Sequence, residues 1–314
     1  MKKILLVIPN YNGFALISKN IPTIVEIFKK RSDVEIIIVD DASRKEEVLN
    51  LENFLAQNTF PIPVGLIKHS VNQGFSSAVD TGAFSKESDY IFFLNSDAVP
   101  ENDFLDTLLA HFEKNPKLFA VGCMDKSIEP EGVVLRGRGT ASWGRGMLTH
   151  AKGDVDQGID TFWVSGGSSI VDSKKFKKID GFDRIFNPFY WEDIDLSYRA
   201  QKAGFEIIFE KKCIVEHRHE EGAIKKHYKK KKINTIAYRN QFIFLWKNIT
   251  DNSLVMSHIF WLPYHFIKAI LRMDTAFVKG FFLAVLKFPD IIEKKDKQKK
   301  YFLLTDKEII FKVS

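Results

Sequence analysis

Asp89-Tyr90-Ile91-Phe92-Phe93-Leu94-Asn95-Ser96-Asp97 decides the fold, because an apolar run of strand length ends abruptly in a polar tip. Glu35-Ile36-Ile37-Ile38-Val39 repeats the pattern and ends in Asp40-Asp41. Continuous apolar runs of this kind fit strands buried on both faces, as in a parallel sheet covered by helices. Two such strands place acids along one rim, where open α/β sheets bind ligands. The Asn-Ser-Asp tip can hold a divalent metal against a diphosphate, which points to nucleotide-sugar chemistry.

Working outward, short apolar runs alternate with helical spacing. Residues 4–8, 35–39, 64–68, 90–94 and 118–123 read as strands. Residues 14–30, 45–57, 74–87 and 104–114 read as helices, the first with Ile17, Ile21, Ile24, Val25 and Phe28 on one face. Right-handed crossovers would then cover both faces of a mostly parallel sheet. Residues 125–157 read as a long Gly-rich polar stretch around Trp143, the kind of loop that often serves as a lid. A strand over 162–171 contains Gly166-Gly167, a helix follows Glu192, and 206–209 is again a strand. From about Tyr228 the character changes to long amphipathic segments rich in Phe, Trp and Lys.

Each polar strand end has a chemical and a plain structural reading. Pro9-Asn10-Tyr11-Asn12-Gly13 makes a tight turn that leaves Tyr11 to lie against a base, or Asn12 to cap the next helix. Asp40 or Asp41 can accept an imide N–H or a ribose hydroxyl, while Ser43-Arg-Lys-Glu46 has capping-box spacing. Asn72-Gln73-Gly74-Phe75 opens a helix whose N-terminus favours phosphate, with Gly74 allowing close approach. Asn95, Ser96 and Asp97 are the metal candidates. Trp191-Glu192-Asp193-Ile194-Asp195 masses acids at a helix start, where the dipole also rewards them. Phe189, Tyr190 and Trp191 beside them suit a sugar ring. Asp193 is the first choice of proton acceptor and Glu192 the second. His217, and less so His219, can join a metal or bond a diphosphate, and Arg239-Asn240 offers a phosphate contact.

In this order, Ile8-Pro-Asn-Tyr-Asn-Gly13, Val39-Asp-Asp-Ala-Ser43, Asn72-Gln-Gly-Phe75, Leu94-Asn-Ser-Asp97, Gly166-Gly167, Trp191-Glu-Asp-Ile-Asp-Leu196, His217 and Arg239-Asn240 resemble the family 2 inverting glycosyltransferases of GT-A fold. Within them the set resembles the rhamnosyltransferase-like branch of bacterial surface-polysaccharide synthesis. The resemblance implies an α/β, Rossmann-like, mostly parallel sheet flanked by helices, with a C-terminal amphipathic helical extension. It implies a catalytic domain over residues 1–225, divided near 123/124 into donor and acceptor halves, and an extension over 226–314. By the same resemblance Asp41 binds the nucleoside, Asp97 is the last acid of the metal motif, and His217 completes the metal shell. Asp193 corresponds to the general base, and Gly166, Gly167 and Trp191 fall on the acceptor side. Two departures stand out: Asn95 occupies the motif's first acid position, and Glu216-His-Arg-His-Glu-Glu221 is more highly charged than the family pattern.

The implied cofactor is Mg2+ or Mn2+, with a UDP- or dTDP-linked sugar as donor and a saccharide or lipid-linked saccharide as acceptor. Net charge is +6, concentrated at Lys225, Lys226, Lys229 to Lys232, and again at Lys294, Lys295, Lys297, Lys299 and Lys300. Such clusters favour an anionic partner such as nucleic acid or a lipid surface, and the amphipathic tail fits a membrane interface or packing on the core or on a second subunit equally. Nucleic acid is not expected, because the lysines lack interleaved stacking aromatics. A homo-oligomer is a further partner expectation. Cys123 and Cys213 have neither metal nor redox spacing, in keeping with a reducing compartment. The N-terminus starts a strand rather than a signal peptide, and no uninterrupted apolar window reaches spanning length. The expected place is therefore cytoplasmic, peripheral at the inner face of a bacterial plasma membrane. A sugar nucleotidyltransferase is the enzymatic alternative, although residues 10–13 carry no basic phosphate loop. A non-catalytic, membrane-associated nucleotide-sugar-binding protein is the other, and acids at both 97 and 193 argue against it.

Overall fold

The computed structural model describes residues 2–129, 131–217 and 228–312, so His219, Lys225 and Lys226 lie outside the described residues. The first half alternates β1 (Ile4–Asn10), α1 (Phe14–Phe28), β2 (Val34–Asp40), α2 (Lys45–Gln57), β3 (Val64–Lys68), α3 (Phe75–Phe84) and β4 (Tyr90–Leu94). Side chains alternate across the strands. Leu6, Ile8, Ile36, Ile38, Phe92 and Leu94 feed one buried core, and Val7, Ile37, Val39, Ile91 and Phe93 the other. α3 lies close on the sheet because Gly82 carries no Cβ to strike Val7 and Val39.

Then come β5 (Ala98–Pro100), α4 (Leu105–Lys114), β6 (Leu118–Glu129), β7 (Gly132–Arg136), β8 (Gly139–Gly144), β9 (Met147–Lys152), β10 (Ser168–Asp172), α5 (Ser173–Lys178), α6 (Glu192–Lys202) and β11 (Glu206–His217). The main sheet runs β3-β2-β1-β4-β10-β6-β11-β5, with β7 on β6. β3, β2, β1 and β4 are parallel, but β10 is antiparallel to both β4 and β6. The sheet is therefore more mixed than expected. A doubly buried antiparallel strand has the same apolar run as a parallel one, so composition does not reveal direction.

Residues 125–157 are not the expected loop. β6 continues to Glu129, β7 folds back on it, and β8 pairs with β9 as a separate ribbon. Their exposed alternating faces kept the apolar signal weak. The expected strand over 162–171 contracts to β10, while the strand expected at 206–209 extends to His217 as β11. The Ser43 capping box does not form: α2 starts at Lys45 after an Arg44 cap, and Ser43 bonds Asp40 instead. Asn12 does not cap α1 either, since Gly13 stands at that position.

The remaining helices are α7 (Lys230–Asn248), α8 (Asn252–Leu271), α9 (Thr275–Val285), α10 (Phe288–Lys299) and α11 (Asp306–Ile310). They join the preceding α/β part through an apolar core of Trp191, Tyr198, Phe242, Phe244, Leu245 and Phe277. A buried ionic network crosses the same seam. Lys247 Nζ reaches Asp183 at 2.6 Å and Asp195 at 2.8 Å, and Arg199 Nε reaches Asp195 at 2.7 Å. α8 is long and apolar enough to cross a membrane by length and composition, and little of it is buried.

Lys247→Met strips Asp183 and Asp195 of a shared cation in a dry site, which costs about 3 kcal/mol or more. The urea midpoint should fall at unchanged m-value; an unmoved midpoint rejects the network as a stabilising link.

Candidate active site

Asp97 follows the turn at the end of β4, where Ala98 N–H bonds Asn95 O and Asn20 Nδ2 donates to Ser96 O at 2.8 Å. β5 leads out of that turn and pairs antiparallel with β11, setting His217 opposite Ala98. His217 Nε2 thereby meets Asp97 Oδ1 at 2.9 Å, and Nδ1 meets Asp125 Oδ2 at 3.0 Å. Burial works against an imidazolium there, but hydrogen bonds to Asp125 and Asp97 outweigh it and raise the His217 pKa to about 9. The donor set fits a divalent cation. A carboxylate and an imidazole converge, the second ring nitrogen is oriented by Asp125, and a cation would replace the shared proton. Among the described residues no group of three or more His, Cys, Asp or Glu could hold a metal alone. The remaining positions would fall to ligand oxygens and water.

Gly167 lies against the side chain of Asn95, where a Cβ would collide with the amide, and Asn95 N–H donates to Gly167 O at 3.0 Å. The backbone of Gly166 lies near enough to the Asp193 carboxylate to favour its charged form. Positions 166 and 167 therefore join the Asp97 loop to the acid loop at the start of α6. Gly166 and Gly167, next to each other in the chain, are what the two acid loops have in common.

Asp193 is half-buried, and its Oδ1 accepts Ile194 N–H at 2.8 Å. Burial raises its pKa to about 6 against the pull of the nearby backbone. Neighbouring Glu192 is 8% exposed, and its Oε2 has no partner among the described residues. Burial first, then the Asp193 charge, raises Glu192 well above the usual carboxylate range. The two acids thus differ in setting: Asp193 keeps some exposure and a bonded N–H, and burial disfavours charge on Glu192 more strongly. Asp195 points into the ionic network rather than the cleft.

The segment before α6 is strained, with φ of 71° at Tyr190 and 75° at Trp191. Asn240 Nδ2 donates to the carbonyls of Phe186, Phe189 and Tyr190, and Arg239 to those of Phe186 and Asn187. The proposed phosphate contacts at 239–240 thus serve to hold this loop. Trp191 is buried, its ring 5.0 Å from His150 of β9 and 5.1 Å from Phe244.

On the other wall, Asp40 accepts from Asn10 Nδ2 at 2.8 Å and from Ser43 Oγ at 2.6 Å. Asn12 N–H donates to Ser43 Oγ, and its Oδ1 accepts Arg44 N–H. Pro9 pairs with Val39 in the sheet, and Tyr11 beside it is 37% exposed. Asp41 accepts the N–H groups of Gln73 and Gly74 and bonds His69 Nδ1, each within 2.8 Å. Asn72 Nδ2 donates to Asp41 O. Asp41 therefore occupies the α3 N-terminus expected to favour phosphate. The space at Gly74, with φ of 85°, is taken by Asn187, which also bonds Gln73 O and Ser77. Sequence reasoning missed His69, Asp125 and Asn187. Each acts from a distant segment, and none stands in a spacing that marks it.

The family model described as "Glycosyl transferase family 2" matches residues 5–180, more than half of the chain. A pre-mycofactocin glycosyltransferase of Mycobacterium tuberculosis is 24% identical over 59% of this chain and 38% of its own length. The O-antigen chain rhamnosyltransferase WbaN of Salmonella anatum is 24% identical over 58% of this chain and 56% of its own. The chain thus spans between about two fifths and just over half of these relatives. In fold it is similar to GalNAc-T7 crystallised with UDP, GalNAc and Mn2+, at a TM-score of 0.71 and 15% identity, covering 99% of this chain and 56% of that one.

Gly167→Ala should force Asn95 aside and lower the unfolding free energy by about 2 kcal/mol. The double variant with Asn95→Ala removes the clash and should recover most of it in a thermal melt. Strict additivity of the two would show that the contact is not made.

Proposed function

From the premise that the chain belongs to glycosyl transferase family 2, we propose that it moves a sugar, with inversion, from a nucleotide diphosphate-sugar to a saccharide or lipid-linked saccharide. The observation that carries this reading is the joining of the Asp97–His217 pair to Asp193 through Gly166 and Gly167. Asp97 and His217 would hold Mg2+ or Mn2+, with Asp125 orienting the imidazole. Such a metal supplies charge neutralisation to the departing diphosphate. The Mn2+ and UDP of GalNAc-T7 support the choice in kind, and a UDP- or dTDP-linked donor is proposed here. Tyr11, with the turns holding Asp40 and Asp41, would form the nucleoside wall.

Asp193 takes the proton of the acceptor hydroxyl. That oxygen bonds to the anomeric carbon as the bond to the diphosphate breaks on the opposite face, and the nucleoside diphosphate leaves with the electron pair. The Ile194 N–H keeps the Asp193 carboxylate aimed while it waits. Burial and the Asp193 charge disfavour a second anion on Glu192 beside it. The catalytic domain is proposed over 1–225, with donor and acceptor halves divided near 123/124 and the extension over 226–314. The setting is proposed as cell-surface polysaccharide synthesis at the inner face of a bacterial plasma membrane.

Asp193→Asn should lower turnover about 10³-fold while donor affinity stays within a few-fold; unaltered turnover rejects the base. Since the base must be ionised and its pKa is raised to about 6, the rate should be level above that pH and fall about tenfold per unit below it. A panel of nucleotide-sugars should raise the melting point only with a divalent metal, and Asp97→Ala should abolish the rise. Metal-independent stabilisation would count against Asp97 as a ligand.

A further inference from the structure

α8 has a bound face and a bare one. On the bound face Trp143 Nε1 donates to Ser257, His258 Nδ1 bonds Gly146 O at 2.7 Å, and His265 Nε2 bonds Arg145 O at 2.8 Å. The bare face carries Met256, Ile259, Phe260, Ile267, Ile270 and Leu271, each between 57% and 78% exposed. These positions follow helical spacing and form one stripe on the order of 22 Å long. A helix packed on a water-soluble core turns such a stripe inward. Here it faces out, which marks an interaction surface.

The helix corners extend the stripe. Leu271-Arg272-Met273 leads from α8 to α9, and Leu286-Lys287-Phe288 leads from α9 to α10, all six exposed. Lys279 and Phe282 lie exposed between them. From Asn252 to Phe288 the bases are Lys268, Arg272, Lys279 and Lys287, and Asp274 is the lone acid. Asp274 is engaged inward, capping α9 at Phe277 N–H and accepting from Tyr238. α9 crosses α7 at Gly280, close to exposed Lys229 to Lys232 at the start of α7. The bare surface is thus apolar in its middle and basic around it.

We propose that this face docks on an anionic lipid bilayer. The α8 stripe and both corners enter the acyl boundary, Arg272 and Lys279 extend to lipid phosphates, and Lys287 does so beside its ion-pair partner Asp290 at 3.8 Å. A second copy is a poorer occupant, because two like basic rims would repel. Crossing the bilayer would break the Ser257, His258 and His265 contacts, so the helix lies in the interface. The docking surface names the membrane partner in the setting proposed above and rests on that reading for its purpose. Arg145 at the ribbon tip stacks on Trp261 and Tyr264 of α8, and His150 farther along β9 packs on Trp191. A bilayer held on α8 therefore lies one ribbon away from the loop that carries Asp193.

The test is co-sedimentation of the full chain with phosphatidylglycerol–phosphatidylcholine vesicles and with phosphatidylcholine alone. Binding should be about tenfold or more stronger with the anionic lipid and should be released by salt. The triple variant L271E/M273E/L286E should lose about tenfold or more in vesicle binding, with its melting point and nucleotide diphosphate binding unchanged. Equal binding to both vesicles, or none to either, overturns the proposal. So does a dimer that the three glutamates dissociate, or retention on vesicles through both salt and alkaline carbonate. No turnover is measured, so a failed transfer assay and a failed vesicle assay are separate results.

Discussion

Asp195 is fully buried, and Arg199, Asn248 and Lys247 all bond its carboxylate. The position of Asp193, two residues earlier on the same helix, follows from that anchoring. A carboxylate taken out of water must be matched by cations and N–H groups, and the match is specific in distance and direction. Arg199 also donates to the carbonyls of Ile179 and Gly181, so the turn that leads toward Asp183 is fixed by the same side chain. Lys247 and Asn248 come from α7, whose Arg239 and Asn240 hold the strained segment before α6. One helix of the C-terminal extension thus supports the acid loop at both ends. In physical terms the extension belongs to the site, however separate its sequence looks.

The meeting of the two acid loops depends on side chains that are missing. A Cβ at position 167 would strike Asn95, and one at 166 would press on the Phe75 and Phe182 rings. Two glycines let the segment that enters β10 run close to the Asn95 side chain of the Asp97 turn and keep the Gly166 backbone near Asp193. Phe182 is itself held by Asp80, a carboxyl that burial raises to about 7 and that accepts the Phe182 N–H at 3.0 Å. Residues that touch no ligand here decide the distance between those that would.

The parallel half of the sheet is legible because burial on both faces forces uninterrupted apolar runs, as in Ile36 to Val39 and Tyr90 to Leu94. The acids at their ends stand out because charge seldom follows such a run without reason. β7, β8 and β9 are not legible, since most of their side chains face water and little of their burial shows in composition. The site is legible where chemistry is concentrated in one segment, as at Asn95 to Asp97 and Glu192 to Asp195. It is hidden where one residue reaches across the fold. Asp125 meets His217 only through the β6–β11 pairing, and His69 meets Asp41 only because β3 lies beside β2. Ser43 shows the opposite failure. Its capping-box spacing is real, but a neighbouring carboxylate at Asp40 is a stronger partner than a helix end.

The two acid groups are built on opposite electrostatic plans, and the contrast argues for a division of labour. Around His217 two carboxylates converge on one ring, so the site favours positive charge despite its burial. Around Glu192 and Asp193 two carboxyls share a site with no cation bonded to either among the described residues. Two adjacent buried acids do not both ionise readily, because the second charge must overcome the first as well as desolvation. Charge is favoured on Asp193, which accepts the Ile194 N–H and keeps some exposure, over Glu192, whose Oε2 is unmatched among the described residues. A carboxylate with its pKa raised by burial is a stronger base than one free in water, and it gains that strength without losing its charge at neutral pH. One acid group therefore attracts positive charge, and in the other burial works against ionisation.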